Sequence, residues 1–152
     1  MNAAPLDRAW LVANLPHQGT MSLLDAIVEW SEAGLHAKAT GHRSAGNPLR
    51  RGEELPIACA IEYGAQAAAA HGALLDSRPS GPGMLVAVRA VSFHAPRLDD
   101  VHADLDVRVE HLGGGEAGVL YRFEVSAAGR ALAEGRLTVA FTGAAPSGTA
   151  IK

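Results

Sequence analysis

The chain has 152 residues, of which 48% are hydrophobic and 19% are charged, and its formal net charge is -3. This length allows one domain with a substantial hydrophobic core, and the composition is that of an ordinary globular protein. A nucleic-acid-binding surface requires basic clusters, and the densest one here is only Arg50-Arg51 with Arg43 nearby, so we expect no nucleic-acid partner. The single cysteine, Cys59, excludes an internal disulfide and fits a reducing cytoplasm.

The longest apolar stretch, from Ile57 to Leu75, is interrupted by Glu62, Gln66 and His71. Such residues are costly in lipid, so we expect no membrane span. The first residues also lack the basic, apolar and small-residue segments of a secretory signal. A cytoplasmic location is therefore expected.

The first elements are a short helix and a hairpin. Residues 5–15 form an amphipathic pattern that ends before Pro16, since the residue preceding a proline disfavours helical geometry. Residues 21–30 and 35–40 then alternate between apolar and polar side chains, which is the periodicity of strands. The turn at Ala33-Gly34 predicts that the two strands pair with each other.

A polar loop over residues 41–56 leads to the central element, a helix from about Pro56 to Leu75. Pro56 suits the first turn of a helix, and the residues from Asp76 to Pro79 end it. Because this helix is rich in alanine almost all the way round, we expect it to be buried on all sides.

Four more strands are expected over residues 84–93, 103–112, 119–126 and 130–141. A hairpin, one fully buried helix and an antiparallel meander together are typical of the α+β hot-dog fold, in which a curled sheet of about six strands wraps a long helix. An unrelated α+β sandwich is the alternative, but its helices usually have one solvent-exposed face. We expect a single domain over residues 1–143 and a disordered tail over 144–152.

Glu62 and Gln66 are four residues apart and therefore share one face of the central helix. A carboxylate in an apolar environment is expensive to bury, and burial would move its pKa toward the range useful for proton transfer. The alternative is structural, with Glu62 capping a loop amide or pairing with an arginine of the 41–56 loop. The residues by themselves favour neither.

Two of the seven histidines are candidates for acid–base chemistry, because His17 and His42 lie in loops that border the hairpin. His71 is expected to be a core or interface residue. Four others are expected at the surface or at strand ends: His36, His94, His102 and His111. No pair has the spacing of metal ligands on a helix, and Cys59 has no cysteine partner, so neither a metal nor another cofactor is expected.

Three segments carry a family resemblance: residues 15–25, which begin Leu-Pro-His-Gln-Gly, residues 42–51, and residues 61–66, where Glu62 is followed four positions later by Gln66. In these segments the chain resembles the hot-dog 3-hydroxyacyl-acyl carrier protein dehydratases, and more closely the ApeP-like dehydratases of aryl polyene clusters. The resemblance covers nearly the whole domain.

The resemblance implies that Glu62 is the catalytic carboxylate and Gln66 its supporting amide, with His42, Arg43 and Asn47 supporting the site or binding substrate. It also implies dehydration of 3-hydroxyacyl thioesters on acyl carrier protein to trans-2-enoyl thioesters, without a cofactor, by a homodimer or a heterodimer with another hot-dog subunit.

One departure from the family pattern concerns the second catalytic residue. General dehydratases carry a histidine shortly before the helix, and residues 47–56 here contain none. Our hypothesis is that His17 supplies the imidazole opposite Glu62, with His42 as the second candidate. Two other functions stay open: a thioester hydrolase in which Glu62 activates water, and a non-catalytic subunit that stabilises a catalytic hot-dog partner.

Overall fold

A computed structural model describes residues 5–15, 21–76, 83–115 and 118–141. The first element, helix α1 (Arg8–Asn14), is capped by the Asp7 side chain, which accepts a hydrogen bond from the Trp10 N–H. The central helix, α2 (Ala60–Asp76), has 17 residues and follows a single 3-10 turn at Ile57–Cys59. Within the described ranges, neither helix is long and apolar enough to cross a membrane.

Six antiparallel strands form one open sheet in the order β1-β2-β4-β5-β6-β3. The strands are β1 (Ala26–Ser31), β2 (Gly34–Ala39), β3 (Gly83–Phe93), β4 (Leu105–Gly115), β5 (Gly118–Ala127) and β6 (Arg130–Phe141). Strand β3 follows the helix in the chain but lies at the far edge, beside β6, so the helix connection crosses the whole sheet.

The inner face of the sheet packs against α2, and the small side chains of the helix allow the sheet to approach closely. Ala67, Ala68 and Ala70 are fully buried, and they belong to the same core as Phe123 and Leu137 from the sheet. At Gly64 the approach requires glycine, since a Cβ there would lie 2.9 Å from the Phe123 ring. The predicted hot-dog architecture, a long helix against a curled antiparallel sheet, is confirmed.

Two expectations about these elements are wrong in detail. Strand β1 begins at Ala26 rather than at Met21, because the backbone of Met21 and Leu23 binds the Gln66 side chain and is not paired with a neighbouring strand. Helix α2 is not buried on all sides, because Glu62 and Leu75 are exposed. The tail expected over residues 144–152 lies outside the described residues.

Candidate active site

Glu62 lies in the first turn of α2 and is exposed in the single chain, which corrects the expectation that it is buried. Among the described residues, no hydrogen bond or ion pair engages its carboxylate. The structural alternative, a loop cap or an arginine pair, is therefore not found in the described part of the chain.

Cys59 lies one helical turn before Glu62 and is half-buried. Burial raises the pKa of its thiol, the negative charge of Glu62 raises it further, and Arg51 acts in the opposite direction. A thiol with a raised pKa is protonated at neutral pH and is a poor nucleophile. Cysteine-based covalent catalysis is therefore not favoured at this site.

Gln66 lies one turn after Glu62, and both of its polar atoms are engaged. Its Oε1 accepts a hydrogen bond from the Leu23 N–H at 3.0 Å, and its Nε2 donates to the Met21 carbonyl at 2.6 Å. The side chain is 1% exposed, so these bonds satisfy an otherwise isolated amide. Gln66 therefore fixes the segment that enters β1, and its burial keeps the amide away from the exposed surface.

His17, the histidine assigned to the reaction from the sequence, lies in residues 16–20, outside the described residues. The anchored backbone of Met21 and Leu23 follows that stretch directly. Gln66 thus connects the helix turn after Glu62 to the chain only a few residues beyond His17.

His42, the second candidate imidazole, is fully buried. Its Nε2 lies 3.0 Å from the Val101 carbonyl, and its Nδ1 has no hydrogen-bond partner among the residues that the structure describes. Because a carbonyl can only accept, Nε2 carries the proton. Burial lowers the pKa of His42 against the opposing pull of the Val101 carbonyl, which keeps the ring neutral. Without solvent access, His42 holds the loop in place rather than facing a substrate.

The next residue, Arg43, is exposed and also connects the 41–56 loop to the segment that precedes β4. Its guanidinium donates to the His102 carbonyl and forms an ion pair with Asp104 at 2.9 Å. Arg50 closes the loop on itself by donating to the backbone carbonyls of Ser44, Glu53 and Arg43. Two arginines of the basic cluster, Arg43 and Arg50, are therefore engaged in hydrogen bonds that hold the 41–56 loop.

Asn47 connects this loop to the helix turn that carries Glu62. Its Nδ2 donates to the Gly41 carbonyl and to the Tyr63 hydroxyl, each at 3.1 Å, and its Oδ1 accepts from the Leu49 N–H. Tyr63 is fully buried, and burial raises its pKa to about 12, so it stays protonated. The sequence analysis missed Tyr63; its adjacency to Glu62 was the only available signal.

The start of the helix is held from the other side by the loop after β3. The Leu55 N–H donates to the Asp99 carboxylate at 2.7 Å, and the Ile57 N–H donates to the Pro96 carbonyl at 3.2 Å. The Cys59 N–H is also used, within the 3-10 turn. At the same helix start, the N–H of the exposed residue Ala58 has no partner among the described residues, so it is free to donate to a substrate carbonyl.

The described surface has a cleft of about 400 Å³ and a smaller one of about 170 Å³, and neither of these is lined by Glu62. The smaller one lies between residues 22–25 and 41–48, beside the chain that leads from His17. Ligand pockets usually occupy about 300–1,000 Å³. Glu62 is therefore exposed and lines neither of these two clefts.

A family model, ApeP-like (ApeP dehydratase), matches residues 11–146. The chain belongs to the ApeP-like dehydratase family. The match spans the stretch that contains His17 as well as Glu62, Gln66 and the 41–56 loop. A comparison of the chain with curated proteins found no match.

A solved structure of the dehydratase heterocomplex ApeI:P from Xenorhabdus doucetiae is similar to the chain with a TM-score of 0.74 and 28% identity, over 86% of this chain and 90% of that one. Thioesterases share the fold only. Zebrafish thioesterase superfamily member 2 has a TM-score of 0.56 at 11% identity, over 80% of this chain and 83% of that one. A Pseudomonas aeruginosa thioesterase has a TM-score of 0.52 at 13% identity, over 75% and 78%.

Proposed function

We propose that this ApeP-like protein dehydrates 3-hydroxyacyl thioesters carried on acyl carrier protein to trans-2-enoyl thioesters. Glu62 is the catalytic carboxylate and His17 the imidazole. The reaction belongs to aryl polyene biosynthesis or a related fatty-acid-like pathway in the cytoplasm, and it needs no cofactor.

The observation that carries this proposal is the contrast between Glu62 and its polar neighbours. The side chains of Gln66, His42 and Asn47 are buried and hydrogen-bonded within the chain, whereas Glu62 is exposed without a partner among the described residues. A carboxylate that the fold does not use, at the end of a helix that the fold holds rigidly, is available for a substrate.

Dehydration removes a proton from C2 and the hydroxyl from C3, so it needs a base, an acid and a donor at the thioester carbonyl. In the proposed mechanism His17 takes the C2 proton, and Glu62 holds and protonates the C3 hydroxyl, which leaves as water. The exposed Ala58 N–H, at the positive end of the helix dipole, donates to the carbonyl oxygen while negative charge develops there.

The proposed active assembly is a dimer with a second hot-dog subunit. Glu62 lies on open surface, and neither described cleft is lined by it, so one subunit leaves the reacting end of a substrate in water. A second subunit packed over this end of α2 would cover it. The similar ApeI:P structure is a heterocomplex, which supports a heterodimer for this chain.

The test is a dehydration assay with 3-hydroxyacyl carrier protein, with the product followed by mass spectrometry. We expect an enoyl thioester, and we expect Glu62→Gln and His17→Ala each to lower kcat by about 10²–10⁴-fold. The exposed residues Glu53 and His102 provide matched controls, as Glu53→Gln and His102→Ala. Full activity in His17→Ala would contradict the role of His17.

The same assay separates the two other functions. Release of free carrier thiol without an enoyl product would identify a hydrolase and overturn the proposal. If the chain is active only when mixed with a second hot-dog subunit, and Glu62→Gln leaves that mixture fully active, the chain is a non-catalytic partner. Loss of activity in the mixture instead places Glu62 in the composite site.

A further inference from the structure

The chain that enters helix α2 is held by three hydrogen bonds to the loop that follows β3, and we call these three bonds the entry clamp. The Leu98 N–H donates to the Leu55 carbonyl at 2.8 Å. The Ile57 N–H donates to the Pro96 carbonyl at 3.2 Å. In the third bond, the Leu55 N–H donates to Oδ1 of Asp99 at 2.7 Å. Asp99 is therefore the one residue whose side chain takes part in the clamp.

The Asp99 carboxylate is itself fixed by Arg97. The Arg97 Nε donates to both carboxylate oxygens at 3.1 Å, and its Nη2 donates to Oδ2 at 2.5 Å. The Asp99 side chain is only 7% exposed. The hydrogen bonds from Arg97 hold the pKa of the Asp99 carboxyl well below its usual range, so it is an ionised acceptor at neutral pH. Pairing with several N–H groups of one planar guanidinium also fixes the orientation of the carboxylate.

The entry clamp is close along the chain to the groups proposed for the reaction. The 3-10 turn that contains Ala58 begins two residues after Leu55, and Glu62 lies in the first turn of α2 that follows. The Ala60 N–H joins the two turns by donating to the carbonyls of Ile57 and Ala58. Because the hydrogen-bonded turns are continuous, a displacement of the chain at Leu55 also displaces the turn that carries Glu62.

The body of the helix is held independently of the clamp, since Tyr63 and Gln66 are buried and hydrogen-bonded to other segments. The clamp is also a weak source of stability. Desolvation of the nearly enclosed Asp99 carboxylate offsets much of its attraction to Arg97. What this ion pair supplies is a fixed place for the Leu55 N–H, and with it for the start of the helix.

We propose that Asp99 is a positioning residue of the dehydration site. Through the Leu55 N–H it fixes the start of the helix, and it thereby places the Ala58 N–H and the Glu62 carboxylate relative to the substrate. Misplacement of a reacting group by about 1 Å can cost about 10²-fold in rate. The inference rests on the proposed function for the reaction, although the contacts of the clamp are independent of it.

The first test is the kinetics of dehydration of 3-hydroxyacyl carrier protein by the full-length protein in its active assembly, below the onset of thermal unfolding of every variant. We expect Asp99→Ala to lower kcat by about 10–100-fold, with KM within about twofold of the wild type, because alignment and not binding is lost. Asp99→Asn keeps an acceptor oxygen for the Leu55 N–H, so it should recover most of the lost kcat.

Asp100→Asn is the matched control. Asp100 is exposed, and its carboxylate lies 4.0 Å from Nε of Arg97, but the Leu55 N–H is bound by Asp99 instead. This variant removes the same charge one residue along the chain, and kcat should stay within about twofold of the wild type, since exposed ion pairs contribute little. Equal loss in Asp100→Asn, full activity in Asp99→Ala, or a raised KM at unchanged kcat would overturn the proposal.

The second test is amide hydrogen exchange of the same variants, followed by mass spectrometry without substrate. In Asp99→Ala, peptides that cover residues 55–62 should exchange at least about tenfold faster, because a hydrogen bond to a charged group is lost. Peptides from β5 and β6 should be unchanged, and Asp100→Asn should match the wild type throughout. Faster exchange along the whole chain in Asp99→Ala would assign Asp99 to global stability and overturn the positioning role.

The two tests also separate this inference from the proposed function. If the wild type forms no enoyl thioester while Asp99→Ala still exchanges faster over residues 55–62, the proposed function fails and the place of Asp99 in holding the Glu62 turn stands. If the wild type forms the enoyl product and Asp99→Ala forms it equally fast, the positioning role fails and the proposed function stands.

Discussion

Helix α2 carries Glu62 near its start and Gln66 and His71 farther along, and the fold uses these side chains differently. Gln66 and His71 are almost fully enclosed and every polar atom of their side chains is hydrogen-bonded, whereas Glu62 is exposed and unpartnered among the described residues. The first two are costly to bury unless they are satisfied, so their bonds are part of what specifies the fold. Glu62 has no such role, which frees it for chemistry.

His71 shows how complete the structural role is. Its Nε2 lies 2.8 Å from the Ser31 carbonyl, and its Nδ1 lies 2.8 Å from the Tyr121 hydroxyl. The carbonyl requires a proton on Nε2, so Nδ1 is the acceptor and the hydroxyl donates. The rings of His71, His111 and Tyr121 lie within 6 Å of one another by centroid. The prediction that His71 is a satisfied core histidine is confirmed.

The largest expected effect is on activity at the exposed end. Glu62→Gln keeps the size of the side chain and removes the carboxyl proton that the proposed mechanism transfers, so we expect kcat/KM to fall by about 10³-fold with an unchanged midpoint of thermal unfolding. Parallel kinetics and melting curves check this. A drop in stability without a drop in activity would show that Glu62 has a structural role and not a catalytic one.

The second effect is on stability at the enclosed end. His71→Leu removes two buried hydrogen bonds and leaves the Ser31 carbonyl without this partner, which should lower the free energy of unfolding by about 2–4 kcal/mol. Urea denaturation measures it, with His102→Ala as the exposed control at about 0.5 kcal/mol or less. Equal stability of the His71 variant and the wild type would show that these bonds are not structural.

Gln66 lies between the two ends, and its substitution should affect both properties. Gln66→Ala leaves the Leu23 N–H and the Met21 carbonyl unsatisfied, so we expect a loss of about 1–3 kcal/mol in the free energy of unfolding. Because the released segment adjoins His17, kcat should also fall. Gln66→Glu retains an acceptor for Leu23 but no donor for Met21, and it should lie between alanine and wild type in stability. An inactive but fully stable Gln66→Ala variant would instead indicate direct contact with substrate.

The smallest expected effect is the pH dependence of the free energy of unfolding that arises from the buried histidines. Burial lowers the pKa of His71 below 6.5, and burial likewise lowers that of His42. The unfolded chain therefore binds protons at higher pH than the folded chain, so stability is full above about pH 6.5 and is lost as pH falls toward the folded pKa values. The slope is at most about 1.4 kcal/mol per pH unit for each histidine. Urea denaturation from pH 7.5 to 5 should show a shallower slope in His71→Gln than in the wild type, and equal slopes would assign the dependence to other groups.

Much of the fold was predictable from the sequence because it depends on local periodicity. The alternation in residues 130–141 predicts a strand whose bounds agree with β6, and the alanine-rich run with Pro56 before it predicts the central helix to within a few residues. The start of β1 was wrong, because residues 21–25 alternate like a strand but their backbone is engaged by a glutamine 43 and 45 residues away. Side-chain contacts at that separation leave no local pattern.

The candidate site was predictable only in part. The four-residue spacing of Glu62 and Gln66 placed them correctly on one helix, but it suggested that both are buried. Periodicity averages a whole helix and does not detect that Glu62 is exposed while Ala60 and Tyr63 in the same turn are buried. His42 looked accessible because it opens a polar loop, yet that loop folds against the segment after β3 and encloses the ring.

The sequence by itself determined the element order, the hot-dog architecture and the residues of the helix that could do chemistry, since these depend on apolar periodicity and on short-range spacing. Only the tertiary structure decided which of those residues are used by the fold. It bound Gln66 to the entry of β1, His71 to the end of β1 and to Tyr121, and Asn47 to Tyr63, because buried polar groups must find partners wherever the chain brings them. Glu62, an exposed residue in the first turn of the same helix, has no such partner in the part of the chain that the structure describes.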